Sequence, residues 1–85
     1  MPERLDIIRS TAGRDKDAFM VVLESFEGCI IAADGHARPI AHPKKKNPRH
    51  TEPTGDALCE ETLRSDRALR RALRQYADSV KSSTD

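Results

Sequence analysis

The chain opens with short apolar runs separated by polar turns. "LDIIR" over residues 5–9 predicts a first strand with Arg9 at its exit, because β-branched residues dominate it. "AFMVVLE" over residues 18–24 predicts a second strand, followed by a glycine-closed turn at "SFEG". "CIIAA" over residues 29–33 predicts a third. Asp34–Gly35 is a strong hairpin signal, since a type I′ turn needs positive φ at both central residues. A short fourth strand, "HARPI" over residues 36–40, follows from it. Pro39 has no N–H for a ladder and places that strand at an edge. A short fifth strand around Pro48–His50 helps to close the set. Short strands at this regular spacing predict a mainly β chain, a small barrel of about five strands.

The pattern changes after residue 53. "TGDALCEETLRSDRALRRALRQYADSV" is rich in good helix formers. One long helix from Asp56 is possible. The favoured alternative is a short helix over Asp56–Leu63, then a second over Asp66–Val80 capped by Ser65, with Asp66 suited to the positive helix end. Leu69, Leu73, Tyr76 and Val80 share one side of that second helix, and Arg67, Arg70, Arg71 and Arg74 share another. The division expected is a barrel over residues 1–53 and a helical extension over residues 54–85 packed on it, fraying at "KSSTD".

The chain's 85 residues allow one domain with a small core. No apolar run approaches the roughly 18 residues of a membrane span, and "MPERLD" has no signal-peptide core, so the expectation is a cytoplasmic monomer without a membrane partner. Cys29 and Cys59 are too few for a disulfide framework. With His36, His42 and His50 they show no paired-ligand spacing, so no metal or other cofactor is expected. Ser10 and Thr11 have no evident base, and no carboxylate pair stands out, so no catalytic residue is assigned.

The net charge of +1 conceals an asymmetry. Between Gly35 and Thr51 there is no acid, while Arg38, Lys44, Lys45, Lys46 and Arg49 all fall there. The turn "RSTAGRDKD" sets Arg9, Arg14 and Lys16 around Gly13, where a tight turn calls for positive φ. Arginine can grip a phosphate with two parallel bonds, and lysine supplies a point charge. Asp15 is assigned to the turn backbone. Aromatic stacking platforms are nearly absent, so any nucleic-acid contact would run to backbone and shape.

The stretch Glu3–Cys29, with Gly13 central and "DIIRSTAGRDKD" at its start, resembles a KOW motif. "ADGHARPI" and "HPKKKNPRH" extend the likeness over roughly Leu5–His50, and it continues more weakly through the helical region. The chain is similar to short bacterial KOW-domain proteins and to archaeal and eukaryotic ribosomal proteins of the L-fourteen-e type. The resemblance implies an SH3-like β-barrel that contacts RNA, often in a ribosomal setting. Structured ribosomal RNA would be the partner, with ribosome or translation proteins nearby. It places Arg9, Ser10, Arg14 and Lys16 against RNA, along with the basic stretch Lys44, Lys45, Lys46, Asn47, Arg49 and His50. Arg38 joins them as part of the acid-free segment. Arg67, Arg70, Arg71 and Arg74 are a further candidate contact for RNA or an acidic protein. Two positions depart from the family pattern: Arg4–Leu5 and Asp17 stand where members often carry glycine. The rival expectation is a protein-interaction adaptor working through the barrel edge and the final helix.

Overall fold

The computed structural model describes residues 2–83, with side chains through residue 80. Five strands form one antiparallel sheet: β1 (Asp6–Ser10), β2 (Phe19–Phe26), β3 (Cys29–Ala33), β4 (Lys44–Lys46) and β5 (Thr51–Ala57). Their spatial order is β4-β3-β2-β1-β5. A 3₁₀ turn at Pro48–His50 joins β4 to β5, and a second at Glu60–Leu63 leads into the helix α1 (Asp66–Ser83). This is the mainly β arrangement of about five strands with a C-terminal helix that the apolar pattern predicts.

The central strands β1–β3 are buried on both faces. Ile8, Met20, Val22, Ile30 and Ala32 cluster on the inner face. Ile7, Val21, Leu23 and Ala33 cluster on the other, beneath Leu69 and Leu73 of α1. A strand covered on both sides reads as a continuous apolar run, which is why "FMVVL" shows no alternation. Tyr76 extends the helix contact. Its ring meets Phe19 edge-on at 5.1 Å, and its hydroxyl donates to Asp56 Oδ2 at 2.8 Å. Each buried leucine contributes roughly 1.5–3 kcal/mol. Most helical stability in proteins comes from packing of an amphipathic face, so docking on the sheet stabilises α1. Ser65 caps it as expected: Oγ accepts from the Ala68 amide at 3.1 Å.

A bulge between Val22 and Glu24 leaves Leu23 outside the β2–β3 register. Arg4 donates to the Leu23 carbonyl at 2.9 Å and grips Glu60 with two further bonds, at 3.1 and 2.9 Å. The first residues are thereby tied to the segment that precedes α1.

Several expected boundaries are corrected. "HARPI" forms no strand. Asp34 Oδ1 accepts the amides of His36 and Arg38, both at 2.8 Å, and the Arg38 carbonyl accepts the Asp34 and Gly35 amides. A turn closed by its own aspartate leaves few groups for a ladder. The fourth strand is instead the lysine run Lys44–Lys46. Pro48–His50 is a 3₁₀ turn capped by Asn47, and the fifth strand begins at Thr51. Pro53 and Gly55 are tolerated within it because β5 is an edge paired only with β1. The strand carries the sheet past residue 53 and takes Asp56 and Ala57, so the expected helix over Asp56–Leu63 shrinks to the turn Glu60–Leu63. At the other end α1 continues through Ser83, and Thr84 and Asp85 lie outside the described residues.

Leu5 and Asp17 are the described non-glycine residues with positive φ, at 77° and 72°. A left-handed conformation costs an L-residue roughly 1–2 kcal/mol. Leu5→Gly is therefore expected to be at least as stable as Leu5→Ala, although glycine ordinarily destabilises relative to alanine. Parallel urea denaturation of the two variants checks this; a glycine variant less stable by about 1 kcal/mol, the upper end of the ordinary glycine penalty, would contradict it.

Candidate functional site

The β1–β2 loop and the β4 end of the sheet meet around one carboxylate. Ile30 and Ala32 lie opposite Lys46 and Lys44 in the β3–β4 register, so both lysines share the inner-face side of those residues. Lys45 alternates to solvent. Ser10 follows Ile8 by two positions on β1 and is likewise buried. Asp15 reaches this end of the barrel from the loop. Its Oδ1 stands 3.3 Å from Lys46 Nζ and accepts from Ser10 Oγ at 3.1 Å. Its Oδ2 is buried, accepts no hydrogen bond, and faces Lys44 Nζ at 3.6 Å.

Lys46 is the notable member, because its side chain is only 5% exposed. A buried ammonium is tolerated when a carboxylate neutralises it. Burial acts to raise the Asp15 pKa, but the hydrogen bond and charge of Lys46, the Ser10 hydroxyl and a backbone bond outweigh it, and the net shift is downward. Gly13, at φ +85°, lets the loop fold back so that Asp15 can enter. The Thr11 amide also donates to the His50 carbonyl at 2.9 Å. Loop and basic segment are thus joined by both backbone and charge.

This arrangement sorts the cations nominated from sequence. Lys44 and Lys46 are engaged by Asp15. Arg9 is held by Asp17 at 2.7 Å and Glu52 at 2.6 Å. Asn47 caps the 3₁₀ turn by accepting the Arg49 amide. The side chains of Arg14, Lys16, Lys45 and Arg49 are exposed and make no hydrogen bond or ion pair among the described residues, and His50 is exposed beside them in sequence. A shallow depression runs between Ala12–Gly13 and Lys45, Asn47 and His50. Arg38 lies apart, in the turn after β3.

A second cationic group sits on α1. Arg67, Arg70, Arg71 and Arg74 are exposed and, with His36, line an open depression. Asp66 and Asp78 stand four residues before Arg70 and four after Arg74, at helical ion-pair spacing. Neither pair closes to an ion pair, and Asp66 Oδ1 instead accepts the Ile40 amide at 2.7 Å. No hydrogen bond or ion pair joins this group to the loop–β4 group among the described residues.

Sequence reasoning gave Asp15 to the turn backbone and missed its grip on the lysines. The available signal was the acid-free stretch itself, since a lysine buried within it needs a carboxylate from elsewhere. Among the described residues no group of three or more His, Cys, Asp or Glu is arranged to hold a metal ion, and no helix is long and apolar enough to cross a membrane. No protein-family model and no curated protein matches the chain.

Proposed function

We propose that the chain is a non-catalytic RNA-binding protein. It contacts the backbone of structured RNA through the face made by the β1–β2 loop and the β4 end, in the ribosomal or translational setting that the KOW resemblance implies. One observation carries this reading. After Asp15, Asp17 and Glu52 have engaged the inner lysines and Arg9, four cations remain exposed and unpaired on segments cross-braced to one another. Cations held on a braced frame suit phosphate contact because little ordering remains to be done on binding. The glycine-like backbone at Leu5 and Asp17 also supports the resemblance, since family members often place glycine there. The adaptor alternative loses one surface: the apolar side of α1 is occupied by the chain's own sheet.

The test is a fluorescence-anisotropy titration of a labelled structured ribosomal RNA fragment at several salt concentrations. Arg14/Lys16→Ala and Lys45/Arg49→Ala are expected to weaken binding. Each should lower the log–log salt slope by roughly 0.7–0.9 for every phosphate that no longer meets a cation. Lys46→Ala is unsuitable here because it would disturb the fold. Binding indifferent to both variants would overturn the assignment of this face.

A further inference from the structure

We propose that the depression between His36 and the arginine row of α1 is a second phosphate-backbone site, separate from the first. The proposal rests on the RNA-binding reading above and assigns that activity a second surface. Arg67, Arg70, Arg71 and Arg74 repeat at helical neighbour spacing, about 5–6 Å apart, and the row runs for roughly 10 Å along the axis. Like charges at that spacing repel; Asp66 and Asp78, at helical ion-pair spacing, do not close on them, and Glu61, which shares a depression with Arg67 and Arg71, makes no ion pair with them among the described residues. A single carboxylate would satisfy one or two of these guanidinium groups. A chain of phosphates engages the whole row, each arginine presenting its flat fork to an oxygen pair.

The surroundings favour nucleic-acid backbone over a protein partner. Protein interfaces rely on buried aromatic or aliphatic anchors at their centre. The large exposed hydrophobic residue of the described chain is Phe26, at the β2–β3 turn, and the depression is lined by His36 and arginines. α1 covers the Ile7–Val21 face of the sheet, whereas Lys44, Lys46 and Ser10 belong to the side of Ile8, Ile30 and Ala32. Of the free cations, Lys45 lies opposite Ile31, which packs on the α1 side, and no hydrogen bond or ion pair links the two cationic groups among the described residues.

Amide-resolved NMR titration with a short RNA hairpin separates the two sites. Expected are shifts at His36 and residues 67–74 as well as at residues 11–17 and 45–50. Arg71→Glu/Arg74→Glu should lower affinity at least tenfold and the salt slope by roughly 1.4–1.8, the value of two phosphates, while Arg71→Lys/Arg74→Lys retains most binding. Shifts confined to the loop and β4 end would overturn this proposal and leave the first face intact. Shifts confined to the row would keep the site and remove the first face. Silence at both would sink both. A poly-glutamate peptide that moves the row's amides as tightly as RNA does would overturn the proposal in favour of an acidic protein partner.

Discussion

Asp15→Ala is expected to cost about 3–5 kcal/mol of stability, a large share of the roughly 4–13 kcal/mol available to a chain of this size. Removing the carboxylate leaves the Lys46 ammonium buried with no counter-charge. The penalty is that of the stranded charge more than of the absent hydrogen bond, and the companion variants differ accordingly. Lys44→Ala should cost about 1 kcal/mol or less, because Lys44 is 28% exposed and stands 3.6 Å from the carboxylate. Asp15→Leu combined with Lys46→Met removes both charges and should recover most of the loss. Urea denaturation of the four proteins separates the cost of the stranded charge from the others. An Asp15→Ala variant within about 1 kcal/mol of the parent would show that Lys46 reaches water and that the carboxylate does not hold the barrel end.

The same group sets an acid limb. The folded-state pKa of Asp15 lies below its ordinary value of 3.8. The folded protein therefore holds the carboxylate ionised at a pH where the unfolded chain has begun to protonate it. Its stabilising contribution is complete above about pH 5 and is lost as pH falls through the depressed folded-state value. Asp15→Asn keeps the shape and removes the titration. Its stability deficit against the parent should be constant near neutrality and narrow steadily below about pH 4. A deficit unchanged down to about pH 2 would assign the effect to shape instead.

The legible parts of this fold are those in which local pattern and burial agree. β1, β2 and β3 are apolar runs bounded by turn residues, and α1 has an apolar side that docks and a cap at Ser65. The illegible parts are those in which a distant partner overrides local preference. Lysine is a poor strand former, yet Lys44–Lys46 is a strand because alternate lysines meet Asp15, 31 residues before Lys46. "TEPTGDA" carries a proline and a glycine and reads as loop, yet it pairs with β1 at an edge. "HARPI" reads as a strand after a hairpin signal, but the Asp34 side chain took the amides. The candidate site divides in the same way. Charge counts located the basic segments, but which cations stay free depends on Asp15, Asp17 and Glu52, and that pairing exists only in three dimensions.

Gly35→Ala is expected to dislodge α1. Gly35 is buried at φ +77°, a conformation that costs an alanine roughly 1–2 kcal/mol. Its surroundings add more: a Cβ there would overlap the Asp66 carbonyl oxygen and lie 2.9 Å from the Arg70 amide nitrogen. Both atoms are helix backbone, which no side-chain rotation can clear. Overpacking of this kind costs roughly 1–3 kcal/mol. The total of about 2–5 kcal/mol is reduced by roughly 0.4–1 kcal/mol of unfolded-state entropy that alanine removes. Gly28→Ala supplies the control, since Gly28 has φ +85° with nothing within 4 Å of a Cβ and isolates the conformational cost. The stability gap between the two variants measures the backbone approach alone. Hydrogen exchange locates it: amides of Leu69 and Leu73 should lose protection in Gly35→Ala while those of Val21 and Val22 keep most of theirs. Equal stabilities would mean that the helix shifts freely on the sheet. In that event leucine burial, and not the approach to the Gly35 turn, fixes its position, and the depression shared by His36 and the arginines would have no rigid wall.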